Sequence, residues 1–252
     1  MRKIGLQLYS IQSEAEKDLL GTLETVKSMG YDSVQFAGLF GIAAKEVKEV
    51  LDSTGLTVAG AHIPLDRFSG EAYKRQMEDQ LLLGNDLMIM PYLTEEQRKS
   101  IDDYKRVAET LNEAGLRAKE YGIRVAYHNH DFEFYEMDGE MPFDVVYRET
   151  DPELVKMELD TYWAKFAGFE PEELLRTYNR RCVSFHLKDM VKKGNEKTST
   201  IAGKGILDLK GFIQLADEQQ VDYCVIEQEH FQGNPLKEVE QGVQNIKALL
   251  LK

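Results

Sequence analysis

Two hydrophobic spacings take turns along the chain. A helical spacing appears at Leu19, Leu20, Leu23 and Val26, returns at Tyr104, Val107, Ala108, Leu111 and Ala118, and closes the chain at Leu236, Val239, Val243, Ile246 and Leu250. Gly30, Gly55, Gly84 and Gly122 follow helical stretches, where a left-handed stop is expected. After each comes a short β-prone run: SVQF, TVAGAH, LMIMP and IRVAYH. With KIGLQLY before them and LVKMELD, VSFHLKD and YCVIEQE after them, the pattern predicts eight strands. Strands separated by helical segments pair in parallel, because each crossover consumes a helix's length of chain. The expected architecture is therefore one (β/α)8 barrel over residues 1–252, α/β in class, with no second domain. An open doubly wound sheet fits less well, since QLYSIQSEAEKD after the first strand lacks any glycine for a phosphate-binding turn. The longest irregular stretch, VKKGNEKTSTIAGKG, reads as a surface loop.

Within the strands a second alternation carries the chemistry. In VSFHLKDM, Val183, Phe185 and Leu187 are apolar, while Ser184, His186 and Lys188 are polar. In LVKMELD, Val155, Met157 and Leu159 alternate with Lys156, Glu158 and Asp160. The apolar face packs on helices, so the polar face points into the barrel. All five histidines fall at or just beyond a strand's C-terminal end, where active sites of such barrels form. Charges inside a barrel are costly unless paired or bound to a metal. Glu133, Asp160, His186 and Glu227 are expected to converge on one mouth as an oxygen and nitrogen set. That set suits one divalent ion, Mn²⁺, Mg²⁺, Co²⁺ or Zn²⁺, and lacks the thiolates of a structural zinc site. Each residue alone has a plainer reading: Asp160 as the cap of a helix starting near Tyr162, His62 as a turn residue before Pro64, Trp163 as a core aromatic.

Composition narrows the partners. A net charge of −13 disfavours nucleic acid and anionic membrane surfaces, which select basic patches. Hydrophobic residues make up 42%, enough for a packed core. Cys182 and Cys224 form no local metal or redox motif, and neither a signal-like segment nor a membrane span is apparent. A soluble cytoplasmic protein acting on a small molecule is expected, with homo-oligomer formation left open.

YHNHDFEF, ELDTYW, FHLKD, GKGILD and VIEQEH occur in this order at barrel spacing. Together they resemble the sugar phosphate isomerase/epimerase family of xylose-isomerase-like TIM barrels, from IGLQLYS to VIEQE. The resemblance implies one divalent metal held by Glu133, Asp160, His186 and Glu227. In ketose epimerases of this superfamily the first glutamate lies on the fifth strand itself. Here His128 takes that position and the nearest glutamate is Glu133, so Glu133 is the expected first ligand and His128 the alternative candidate. The resemblance further implies proton transfer next to a ketose carbonyl, with the metal stabilising an enediolate. Glu133 and Glu227 would act as the two acid–base groups on opposite faces of the sugar. His62, His128, His130 and Lys188 would position hydroxyls, while Gln7, Tyr9 and Trp163 line the pocket. The acidic surface favours an uncharged sugar or polyol-derived ketone. A lyase or keto-inositol dehydratase on the same metal site is the rival, since it begins with the same proton abstraction. An abasic-site endonuclease would need more ligands and a basic surface, and a binding module without chemistry would leave a metal set idle.

Overall fold

The computed structural model describes residues 2–178 and 180–251; the expected domain of residues 1–252 also includes Met1, Asn179 and Lys252, which lie outside the described residues. In chain order the strands are β1 (Ile4–Gln7), β2 (Ser33–Phe36), β3 (Thr57–His62), β4 (Leu87–Met90), β5 (Arg124–His128), β6 (Val155–Asp160), β7 (Cys182–Leu187), β8 (Asp189–Lys193), β9 (Glu196–Thr200) and β10 (Tyr223–Ile226). β1 to β7 and β10 form a closed barrel in which each strand neighbours the next and β10 closes on β1. Every barrel pairing is parallel. The eight strands read from the sequence are these eight, within a few residues at their ends.

Glycine stops act as the sequence implies. Gly30, Gly55 and Gly84 cap helices 19–29, 44–54 and 70–83 with left-handed backbones. The helices wrap the barrel with their apolar stripes inward. Leu23 and Val26, Val107 and Leu111, and Val243 and Ile246 pack in one core with Ile4, Leu6, Met88, Met157, Leu159 and Phe185 of the strands. A separate, smaller cluster of Leu87, Ile89, Ala126 and Val183 fills the barrel's interior. The sequence alternation groups Val183 with Phe185 and Leu187. Instead, the pairing of β6 with β7 shifts so that Cys182 faces Met157 and Ser184 faces Glu158. The extra residue is Val183, and this bulge moves it from the outer core to the inner cluster.

The expected surface loop at residues 191–205 is only partly irregular. β8 and β9 pair antiparallel, from Asp189 opposite Thr200 to Lys193 opposite Glu196. These strands are largely solvated and polar, so no apolar alternation announces them. The buried Asp189 carboxylate anchors the return of the chain. It accepts the N–H groups of Met190 (2.8 Å), Gly203 (3.0 Å), Gly205 (2.7 Å) and Leu207 (3.1 Å). Among the described residues no helix is long and apolar enough to cross a membrane.

Gly60 on β3 links this scaffold to the polar interior. Its φ is +114°, and a Cβ there would lie 2.8 Å from Ile89 Cδ1 and 3.3 Å from Gln35 Nε2. Gly60→Ala is expected to cost about 1–3 kcal/mol by overpacking alone, with backbone strain added. Urea unfolding with an unchanged m value would check this; stability equal to wild type would show that the interior yields freely.

Candidate active site

Register brings the polar residues together. On β6, Glu158 faces His128 of β5 and Asp160 faces His186 of β7, while Val225 of β10 stands opposite His186 on its other side. Glu158 is fully buried, and its carboxylate is the hub. Oε1 lies 2.8 Å from His62 Nε2, 3.0 Å from His128 Nδ1 and 3.1 Å from His186 Nε2. Oε2 accepts from Gln35 Nε2 (2.6 Å) and Ser184 Oγ (2.7 Å). Gln35 Oε1 in turn receives Gln7 Nε2 at 2.5 Å and lies 2.7 Å from His186 Nε2. Burial alone would raise the pKa of Glu158, but His186 and the other imidazole hydrogen bonds hold it well below the usual carboxylate range. Because an ionised carboxylate only accepts, His128 presents Nδ1–H to it. Burial lowers the His128 pKa to about 4 despite that bond, so the ring is neutral at pH 7 and its Nε2 carries a free lone pair.

That lone pair faces a second group. Ligand atoms of His128, Asp160, His186 and Glu227 lie within 4.8 Å of one another, and all four residues are buried. His128 Nε2 is 4.0 Å from Asp160 Oδ2, and His186 Nδ1 is 3.2 Å from Glu227 Oε2. Asp160 divides its two oxygens. Oδ1 accepts the N–H of Trp163 (3.0 Å) and caps the helix Thr161–Ala167, so the capping reading of the sequence holds. Oδ2 is buried with no hydrogen-bond partner. Burial raises the Asp160 pKa to about 7, with Lys188 pulling against it. Burial likewise opposes ionisation of Glu227, but Lys188 and His186 outweigh it and keep that carboxylate charged. Two imidazoles and two carboxylates, one of them with an orphaned oxygen, fit a divalent ion of the first transition row or Mg²⁺.

Glu133 is not in this group. The chain leaves β5 through a short 3-10 turn, Phe132–Phe134, which carries Glu133 back into the wall. Its carboxylate accepts Tyr127 OH at 2.5 Å and His130 N at 2.8 Å. The geometry brings His128, which alternation places inward at the end of β5, together with Asp160, His186 and Glu227, and leaves Glu133 apart from them. Glu133 is also not among the residues that line the cavity above them.

That cavity has a volume of about 730 Å³, and its lining includes Tyr9, His62, His128, His130, Trp163 and Glu227. Gln7 and His186 lie beneath the lining in the Glu158 network. Lys188 is buried too. Its ammonium is 2.5 Å from Glu229 Oε1, 3.4 Å from Glu227 Oε2 and 3.9 Å from Asp160 Oδ2, with the Trp163 ring 4.6 Å away. It steadies the carboxylates from behind rather than lining the pocket. Sequence reasoning gave Glu158 and Gln35 no role. For Glu158 the signal was parity, since it shares the inward face with Asp160; Gln35, one residue before the end of β2, carried no such signal.

Two substitutions separate ligands from their supports. Glu158→Gln removes the charge that fixes the His128 tautomer, and divalent-ion affinity should fall about 10–100-fold in competition with a chromophoric chelator. Unchanged affinity would show that Glu158 does not orient the ring. Glu133→Gln can still accept from His130 N and donate to the Tyr127 phenol oxygen, so ion affinity should persist. Burial raises the Glu133 pKa from 4.5 to about 7. Its contribution to stability is full below pH 4.5 and is lost as pH rises through 7. Relative to Glu133→Gln, wild type should lose on the order of 3 kcal/mol over that window. Parallel denaturation curves across pH would contradict this.

The sequence profile of the xylose isomerase-like TIM barrel family matches residues 23–249. An inosose dehydratase from Clostridium perfringens is 26% identical over 200 residues, which cover 72% of this chain and 63% of that protein; the chain thus spans less than two thirds of that curated relative. The crystal structure of a sugar phosphate isomerase/epimerase from Parabacteroides distasonis superposes with a TM-score of 0.83 at 26% identity, covering 98% of this chain and 94% of the other. The IolI protein with a bound zinc atom superposes with a TM-score of 0.76 at 16% identity over 98% of each chain, which shows the shared fold. With the profile matching nearly the whole barrel, this chain belongs to the xylose isomerase-like TIM barrel family.

Proposed function

We propose that this protein is a divalent-metal-dependent isomerase or epimerase that moves a proton next to the carbonyl of an uncharged ketose. The observation that carries the reading is the orphaned Asp160 Oδ2 beside His128 Nε2, buried below a sugar-sized cavity. His128, Asp160, His186 and Glu227 would hold the ion. When bound, the ion supplies Lewis-acid polarisation of a carbonyl oxygen. Glu227 lines the cavity and is kept ionised, so it is the group that accepts a proton from carbon. His130 supplies a second exchangeable site on the same cavity. Its Nδ1 is buried and unpartnered, and burial lowers its pKa well below 6.5, which leaves a neutral imidazole at pH 7. His62, fixed by Glu158, presents its other ring nitrogen for a hydroxyl. Asp131, Glu227 and Glu229 on the lining disfavour an anionic substrate. The setting is cytoplasmic carbohydrate metabolism, with a small ketone as partner rather than nucleic acid or membrane.

A dehydratase of a keto-polyol is the second reading, favoured by the likeness to inosose dehydratase. It begins with the same proton removal by Glu227 and differs in losing a hydroxyl from the neighbouring carbon.

Asp160→Asn keeps the helix cap but removes the charge on Oδ2, and metal-dependent activity should vanish with the fold retained. Glu227→Gln should slow solvent-deuterium incorporation next to a ketose carbonyl by about 10²–10⁴-fold. Both are read by NMR on a panel of ketoses, with water loss in the products marking the dehydratase. Metal-loaded wild type that binds a ketose and exchanges no proton there would refute both readings.

A further inference from the structure

Besides Asp160 Oδ2, three more buried polar atoms at this site have no partner: Arg98 Nε, His130 Nδ1 and Trp163 Nε1. All three residues line the cavity. They sit on one continuous aromatic wall. The His130 and Phe132 rings stack at 5.5 Å with only 3° between their planes. Tyr92 meets both edge-on, at 5.1 and 5.6 Å, and Trp163 lies 5.4 Å from His130. The Arg98 guanidinium carbon is 3.6 Å from the centre of Phe132. Burying an N–H without an acceptor is costly, so a wall that keeps two such donors and a bare imidazole nitrogen is built for a ligand that satisfies them.

The chemistry of that ligand is constrained twice. Flat aromatic faces match the C–H faces of a sugar ring, while N–H groups at their edges match its hydroxyl oxygens. The nearby Asp131, Glu227 and Glu229 speak against a phosphate or carboxylate. Size adds a third point. A cavity of about 730 Å³ falls within the range of roughly 300–1,000 Å³ that takes drug-sized molecules, and the wall runs outward from His130, whose ring is 5.1 Å from that of His128, to Phe132, Tyr92 and Arg98. We infer that the wall formed by Tyr92, Arg98, His130, Phe132 and Trp163 is a subsite for a second sugar ring, joined by a glycosidic bond to the ring that reacts. This rests on the keto-sugar reading of the cavity and extends it to disaccharide-sized substrates.

Trp163 is the chain's single tryptophan, so its fluorescence reports on the wall directly. The full chain is titrated with cellobiose, maltose and trehalose, and with glucose and phenyl β-glucoside for comparison. At least one disaccharide should bind about tenfold more tightly than glucose, as one or two added hydrogen bonds and a stacked face would give. Arg98→Ala and, separately, Phe132→Leu should collapse that ratio towards one while metal content stays as in wild type. Equal affinities for glucose and every disaccharide, or no saturable response, would overturn the subsite. So would a ratio untouched by both substitutions, or phenyl β-glucoside binding more tightly than every disaccharide, which would mark a purely apolar platform. Deuterium exchange into a free ketose does not use Tyr92, Arg98 or Phe132, the part of the wall beyond His130. Exchange without disaccharide preference therefore sinks the subsite alone, whereas preference without exchange sinks the keto-sugar chemistry alone.

Discussion

One buried carboxylate organises the interior of this barrel. Glu158 takes hydrogen bonds from side chains on four other strands: Gln35, His62, His128, and both Ser184 and His186 of β7. Alone in that environment a carboxylate would take up a proton, since desolvation penalises its charge. Imidazole and amide donors reverse the balance. At His128 the charge then dictates which nitrogen carries hydrogen, and so which one keeps its lone pair. Breaking such a network by removing its hub is costly, because every donor around it is stranded together.

A second layer of charge surrounds that hub. Lys188 is the cation among Asp160, Glu227 and Glu229. Burial disfavours its ammonium, but the three carboxylates hold it protonated. The next residue, Asp189, turns the other way and gathers four backbone N–H groups from the chain around 190 and 203–207. Two adjacent residues thus tie the interior of the barrel to the β8–β9 hairpin that leaves it.

Much of this was legible in the sequence, and the exceptions have physical causes. Period 3.6 and period 2 mark helices and strands because one face of each must be buried, and parity put Glu158, Asp160 and His186 inward. Parity fails where the chain bulges: Val183 changes sides because β7 carries one residue more than β6 at that point. Residue type also says little about where Glu133 lies. A glutamate satisfies a ligand pattern on paper, but five residues beyond His128 a 3-10 turn has already carried it behind the wall. The hairpin was invisible because neither of its faces is buried enough to demand apolar residues. Arg98 lies just after the short 3-10 turn Glu95–Gln97, outside any periodic segment, and nothing local distinguishes it from a solvated arginine.

The two oxygens of Asp160 also couple length scales. One is fixed to the first turn of the helix Thr161–Ala167, and the other faces His128. Trp163 rides on that same turn, held through its own backbone N–H. The backbone that carries the indole is therefore tied to the floor of the cavity through one side chain. Any displacement of that carboxylate would be felt at both ends, at the helix cap and at the oxygen facing His128.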